Sequence, residues 1–448
     1  MKNVIIIGSN SIAMNIADTM CQNPDINLYI IESSKDKFNK IKDTLDAEFI
    51  LGNEIDPETL MRANIETCDV LLALSEIDSI NVTVSLIAKH FNPKVKIINH
   101  IDKKYENNYK ILNDGILNID SFISPEQLTS EHIEQLLKHP SIIEYHKIVN
   151  GKFIIIAFEV KENNPLLNKK LSELKKEFLS KYSMLITGIS NQNYFKIPKG
   201  DTVINENDVL YLLIAKKHIK PVFELFNIKN RKIKDILIGG GGRYSEALLD
   251  KISKQDYKIT VLDRSKTRIK YLQELYPDIN YLLVDMRNLD RVESRELFDV
   301  DLYIAMTDSD NINFITSVYA LKSETKTLSL YFQHSNFELF NHYNIKNILN
   351  PKSLVIDELL SYFHMGKIIS VSSLWNEKIE MIEFIPSKES KLINKKLKDI
   401  KNYNMLIGVI EHNGVASIAN GDSLVKENDK LLFFAKKEDI DTILEDIS

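Results

Sequence analysis

Cysteine is nearly absent from this chain: Cys21 and Cys68 are the two among 448 residues, too few for a disulfide framework. Each falls in a helix or at its end and reads as a packing residue in a reducing compartment. Long apolar runs are missing as well. No stretch approaches ~18 consecutive apolar residues, and Met1-Lys-Asn-Val-Ile-Ile-Ile-Gly8 passes straight into a strand without a signal-peptide pattern. The expectation is a cytoplasmic protein that meets a membrane only through a partner. The ten histidines, among them His90, His100, His132, His139 and His146, contain no His-x-x-x-His with a carboxylate between, and there is no Cys-x-x-Cys, so no zinc site is expected. Charge of one sign is never concentrated: the net charge is −6, Lys, Asp and Glu are interspersed, and no nucleic-acid partner is indicated. The single tryptophan, Trp375, with Val371 to Leu374 beside it, fits the core of a small domain.

What is present is an ordinary globular composition, 44% hydrophobic and 27% charged, with length for about three domains at ~150 residues each. One stretch organises the rest. In Asp235-Ile-Leu-Ile-Gly-Gly-Gly-Gly-Arg-Tyr-Ser245 an apolar run enters four glycines and then Glu246-Ala247-Leu248-Leu249, which has helix-forming composition. The pattern is strand, tight turn, helix. Gly240, Gly242 and Ser245 take the small-residue positions of G-x-G-x-x-G/A: one for the turn, one for approach to a pyrophosphate, one for close helix packing. A second strand, Lys258 to Asp263, ends in a carboxylate about 20 residues on, placed to hold ribose hydroxyls. Together these point to a nucleotide site.

Taken in order, the first half carries strands at Asn3 to Ile7, Asn27 to Ile31, Phe49 to Leu51, Asp69 to Leu74 and Lys94 to Asn99, with helical patterns between them. This alternation predicts a parallel, doubly wound sheet. The same unit then recurs. Gly8 and Gly240, Asn10 and Gly242, Ala13 and Ser245, Asn53 and Asp285, Ser75 and Thr307, Asp78 and Asp310, Asn81 and Asn313 are each 232 positions apart, and one constant register implies duplication. The segments behind the sheets repeat too: Pro165 to Leu171 matches Lys391 to Leu397, and Gly200…Asn207-Asp208 matches Gly421…Asn428-Asp429. Lys152 to Val160 and Asp208 to Ile214 read as strands; Asn168 to Phe178 and Asn394 to Ile400 read as helices. The fold class is therefore α/β, two Rossmann-like doubly wound parallel sheets each followed by a small α+β domain, an A-B-A-B tandem. The boundaries are 1–120 and 232–348 for the A units, 140–222 and 366–448 for the B units. Ser124-Pro125-Glu126 and Asn350-Pro351-Lys352 mark the joints.

With the tandem in view, the sequence resembles the Trk-type potassium-uptake regulatory subunits (TrkA-like), built of paired potassium-conductance-regulating (RCK) domains of N and C type. The likeness covers nearly the whole chain. It is carried by the two glycine turns, Ser75-x-x-Asp78-x-x-Asn81 and Thr307-x-x-Asp310-x-x-Asn313, Ile123-Ser-Pro-Glu-Gln-Leu128, Pro198-x-Gly-x-Thr202…Asp208, and Val371-Ser-Ser-Leu374. The resemblance implies a peripheral regulatory subunit at the inner face of the cell membrane. It would bind ATP, ADP or NAD(H) as regulatory ligands, gate a membrane potassium-translocating subunit, and assemble eight A units into a ring from four chains. No enzymatic activity is implied.

The two A units are not equivalent. In the first, Gly8, Ala13 and Glu32 keep the turn, packing and ribose positions, but Asn10 stands where a glycine lets backbone approach phosphate. The second has Arg243 at the mouth of the turn, suited to phosphate oxygens, and the resemblance favours an adenine nucleotide there. Asp263 suits ATP or NAD and disfavours NADP, whose 2′-phosphate it would repel. By resemblance, Asn53 and Asp285 lie near the adenine edge. Ser75, Asp78, Thr307 and Asp310 are at strand ends, where helix N-capping also explains them. Two alternatives stand beside the regulatory reading: an NAD-dependent oxidoreductase, which would need a proton donor that neither B unit offers, and a sensor of nucleotide or cyclic dinucleotide serving another ion transporter.

Overall fold

The computed structural model describes residues 2–21, 26–100, 119–149, 151–174, 182–191, 194–228, 232–291, 297–361, 368–374, 379–400 and 404–447. Trp375 lies outside them. Two compact units are formed, Met1–Leu128 with Pro351–Gly366, and Thr129–Asn350 with Lys367–Ser448.

The first unit holds a six-stranded sheet: β1 (Lys2–Ile7), β2 (Ile26–Glu32), β3 (Glu48–Leu51), β4 (Val70–Ala73), β5 (Lys96–His100) and β6 (Ser121–Ile123). The order is β3-β2-β1-β4-β5-β6, and every pair is parallel. Val4 to Ile7 and Leu71 to Ala73 are fully buried or nearly so, the continuous apolar run expected of strands covered on both faces. Helix α1 (Ser11–Cys21) follows β1, and α2 (Asp78–Phe91) follows β4. The helix Pro351–Ser361, distant in sequence, packs on α1. Cys21 closes α1, and Cys68 is buried, its thiol pushed up to about 12 by desolvation.

The second unit contains three sheets. The first B unit folds as β7 (Glu144–Ile148), β8 (Phe153–Glu159), β9 (Met184–Ser190), β10 (Phe195–Lys196) and β11 (Val209–Ala215), antiparallel, in the order β10-β9-β11-β8-β7. The second A unit repeats the parallel sheet with β12 (Asp235–Gly239), β13 (Lys258–Asp263), β14 (Asn280–Leu283), β15 (Leu302–Ala305), β16 (Lys326–Leu330) and β17 (Asn347–Leu349), ordered β14-β13-β12-β15-β16-β17. The second B unit is again antiparallel: β18 (Ile368–Leu374), β19 (Ile379–Phe384), β20 (Met405–His412), β21 (Val415–Ile418) and β22 (Lys430–Lys436). Helices α3 (Arg243–Ile252), α4 (Lys266–Leu275) and α5 (Asp310–Lys322) flank the parallel sheet. The two B sheets share a core, in which Ile155, Tyr211 and Leu213 meet Met381, Val409 and Phe434. Each such side chain contributes about 1.5–3 kcal/mol by leaving water.

Two sequence expectations change. Each A sheet has a sixth strand, β6 or β17, only three residues long and too short to carry a periodic signal. The helices expected from Asn168 and Asn394 do not start there, because both asparagines are left-handed, with φ of 61° and 59°. Their N–H groups donate to Ile204 O and Val425 O at 2.8 Å. Beyond them the described residues form a helical turn at Leu171–Leu174 in one copy and a 3-10 turn at Leu397–Asp399 in the other; residues 175–178 lie outside the described residues. The duplicated Asn207 and Asn428 are likewise left-handed, φ 64° and 66°, a conformation asparagine tolerates better than most side chains. Beside them the buried Asp208 and Asp429 accept from Asn205 N and Lys426 N, both at 2.8 Å.

The helix Pro125–Lys138 reaches α3 through Lys251 on Glu131 and Gln255 on Glu134, both at 3.4 Å. It also carries His132, whose ring centroid lies 6.2 Å from that of His146. Burial first, then the charges of His146 and Lys147, push the His132 imidazole down to about 3. An unfolded histidine titrates near 6.5, so between those values the unfolded chain holds the extra proton. Stability from this group is therefore complete above pH ~6.5 and is lost as pH falls. Urea midpoints should drop between pH 7 and pH 5 by the equivalent of roughly 1–2 kcal/mol, and His132→Phe should flatten that drop. An unchanged pH dependence in the variant would reject this assignment.

Candidate functional site

The second glycine turn begins where β12 ends. Gly240 has φ +101°, and a Cβ there would stand 3.0 Å from Thr307 Cγ2 and 3.1 Å from Met306 O. Only glycine satisfies both the dihedral and the contact. Its N–H donates to Leu262 O at 2.8 Å, and the next amide, Gly241 N, donates to Asp263 Oδ2 at 2.8 Å. Asp263 Oδ1 accepts from Ser265 N at 2.7 Å. The carboxylate expected at a ribose thus also ties the turn to the loop after β13. Ser245 is buried, and its hydroxyl donates to Gly240 O, which fixes α3 against the turn.

Gly242 is the N-cap of α3, exposed, with open space where a Cβ would point, and as a glycine it makes no side-chain cap bond. An uncapped helix N-terminus presents backbone N–H groups and the positive end of the helix dipole, the arrangement that holds phosphates. Arg243 opens α3 and is exposed. Sequence reasoning missed a second guanidinium. Arg268, in the first turn of α4, donates from Nε to Gly241 O at 2.5 Å and from an Nη to Gly242 O at 3.2 Å, and pairs with Glu246 at 2.5 Å. It also lies over the Tyr271 ring, 4.9 Å from the centroid. By engaging both carbonyls it ties the turn to α4. The signal was present in the sequence as Arg264 and Arg268 closely following Asp263.

Thr307 and Asp310 perform work other than helix capping. Thr307 N donates to Asn313 Oδ1 at 2.9 Å, and the Thr307 hydroxyl accepts from Ser309 N at 3.2 Å. Asn313 Nδ2 returns bonds to Thr307 O at 2.9 Å and Leu330 O at 3.0 Å. Asp310 accepts from Phe332 N at 2.9 Å, Gln333 N at 3.0 Å and Asn336 Nδ2 at 2.7 Å. Asp285, beyond β14, is bound by Arg287 through the guanidinium, down to 2.6 Å, and through the amide at 3.1 Å. Those bonds hold its carboxyl at about 2.

The first turn has the same backbone and a different filling. Gly8 has φ +87°, and a Cβ there would stand 3.1 Å from Ser75 Cα. Asn10 Oδ1 accepts from Ile12 N and Ala13 N, both at 3.0 Å, while its Nδ2 donates to Leu74 O at 2.5 Å. The asparagine amide therefore consumes the helix donors that a phosphate would use. Ala13 is buried against the turn, in the position Ser245 takes in the second copy. Glu32, only 4% exposed, accepts from Ser9 Oγ and, at 2.7 Å, from Ser34 N. Asn53 caps its own turn by accepting from Ile55 N at 3.2 Å, and Ser75 N donates to Asn81 Oδ1 at 2.8 Å. Among the described residues no group of three or more His, Cys, Asp or Glu is arranged to hold a metal, and no helix is long and apolar enough to cross a membrane.

Comparison with known proteins agrees with this duplication. The TrkA-N domain model matches residues 4–125 and 236–351, and the TrkA-C domain model matches 155–227 and 381–448. The Trk system potassium uptake protein TrkA of Halomonas elongata is 24% identical over 437 residues, covering 96% of this chain and 95% of that protein. Its namesake in Vibrio alginolyticus is 23% identical over 439 residues, covering 96% and 95%. Among solved structures, the GsuK RCK domain aligns with a TM-score of 0.60 at 14% identity, over 99% of this chain and 94% of that one. The GsuK channel bound to NAD aligns at 0.61, also 14% identical, over 99% and 78%. At that identity the two structures speak for the fold alone. With both family models matched twice in alternation, the chain belongs to the TrkA family of tandem TrkA-N and TrkA-C domain proteins.

Proposed function

We propose that this chain is a peripheral regulatory subunit of a membrane potassium-uptake system, and that a nucleotide at the second glycine turn is its signal. One observation carries the reading: α3 begins at a glycine turn whose Gly242 cap makes no side-chain bond, with Asp263 and Arg268 tied to that turn and Arg243 at its mouth, in a chain matching TrkA proteins over nearly full length. The NAD found with the GsuK channel supports a nucleotide as ligand class. No covalent chemistry is called for. A ligand biases a gate by binding one conformation of the regulator more tightly than another, and a closed ring of four chains, presenting eight A units, would pass that bias to a translocating subunit. The regulator acts from the cytoplasmic face, through its membrane partner.

Calorimetry on the full chain tests the ligand. ADP or ATP should bind with one molecule per chain, because Asn10 fills the first turn. Arg268→Ala should weaken binding about tenfold or more, since the loss of charge-assisted bonds releases the carbonyls of the turn. Asn10→Gly should add a second, weaker site while costing the α1 cap only a few tenths of a kcal/mol of stability, roughly. Two equivalents bound by the unaltered protein would instead assign a ligand to the first turn. The partner is tested separately: the chain should co-sediment with membranes holding a Trk-type translocating subunit and restore potassium uptake to cells lacking their own regulatory subunit. Failure of both would overturn the regulatory role.

A further inference from the structure

Away from both glycine turns, a cavity of about 790 Å³ opens on the first B unit, a size that suits a small organic ligand. Its walls come from the chain entering that unit and the chain leaving it. Lys138 and His139 lie where the helix Pro125–Lys138 gives way to the segment before β7, and Phe223 belongs to the helix Ile219–Leu225 that follows β11. Asn163, in the loop after β8, forms the far end, where its carbonyl accepts from Asn227 Nδ2 at 3.3 Å. Asn227 is left-handed, with φ 51°, and the next amide, Ile228 N, donates to Phe223 O at 2.9 Å. That end is therefore closed by a capped helix terminus.

The opposite end is cationic. Burial, then the charges of Lys138 and Lys220, hold the His139 imidazole below its ordinary value, and both of those charges are positive. Lys138 Nζ is committed to Glu134 at 2.8 Å. Lys220 is exposed and makes no hydrogen bond or ion pair among the described residues, so its ammonium is available to an anion. Between the two ends the lining is aromatic and apolar. The His139 and Phe223 rings meet edge to face, centroids 5.7 Å apart and planes at 80°. Two rings at nearly a right angle form a corner in which a third flat ring stacks on one and meets the other edge-on. Glu224, one turn after Lys220, also borders the cavity, which makes the sign of the ligand's charge the point to test.

We infer that this cavity is a binding site for a small aromatic carboxylate, its carboxyl group on Lys220 and its ring in the corner formed by His139 and Phe223. Such a ligand touches both connections of the first B unit at once. It touches neither glycine turn, so the inference stands or falls independently of the nucleotide reading.

Benzoate, benzamide and benzamidine share a flat ring and differ in the charge of the head group, and calorimetry on the full-length protein at neutral pH compares them. Benzoate should bind about tenfold or more tightly than benzamide, the difference one charge-assisted hydrogen bond makes. Lys220→Gln should abolish most of that advantage, whereas Lys220→Arg, which keeps the charge, should stay within about threefold of the unaltered protein. In proton spectra benzoate should raise the titration midpoint of the His139 ring, because a neighbouring anion favours the imidazolium. A midpoint that does not move, or a benzoate affinity unchanged by Lys220→Gln, would place the carboxylate elsewhere and overturn the inference. Equal binding of benzoate and benzamide, or no binding of benzoate, would overturn it too. So would a preference for benzamidine, which would make the cavity a cation site built on Glu224.

Discussion

The contact on which the rest of the A units depends is the meeting of two backbones at the strand-order reversal. Gly240 presses on Thr307 as Gly8 presses on Ser75, each with a left-handed φ and no room for a Cβ. Because the turn passes so close, the helix after it begins directly over the strand ends, and its N–H groups face the crevice. Asn81 and Asn313 lock the other side of the contact by binding both the amide and the carbonyl of Ser75 and Thr307. The repeated Ser/Thr-x-x-Asp-x-x-Asn spacing is the sequence form of that lock.

Duplication kept this frame and changed what fills it. In the first copy Asn10 supplies, from its own side chain, the oxygen that the helix donors require, and Glu32 is enclosed by Ser9 and the Ser34 amide. In the second copy Gly242 has no side chain to supply that oxygen, and Arg268 binds the carbonyls of Gly241 and Gly242. The repeat of the B units serves packing: left-handed asparagines close the same turns, buried aspartates hold the same amides, and the two sheets share one core.

The 232-residue register, the parallel sheets and the glycine turns were legible in the sequence because each rests on local chemistry: strand period, helix pattern, glycine where φ must be positive. The three-residue strands β6 and β17 were not, since they form only by adding to an existing sheet edge. Nor were the ends at Asn168 and Asn394, where helix-forming neighbours were overridden by a turn whose amide bonds to a segment some 30 residues away. At the site, Asp263 and the turn were legible from spacing. Arg268 was not, because spacing along a helix does not say which side chain returns to the preceding turn.

By itself, then, the sequence determined that the chain is a tandem of duplicated α/β and α+β units with two glycine turns, only one of which keeps both of its glycines. Tertiary structure alone decided what closes each turn: the Asn10 amide over one helix terminus, and Arg268 on the carbonyls of the other. The physical reason is distance along the chain. Period and φ preference are properties of neighbours, whereas the partners of Gly241 O and Leu74 O come from segments 27 and 64 residues away, brought to each turn only when the sheet is assembled.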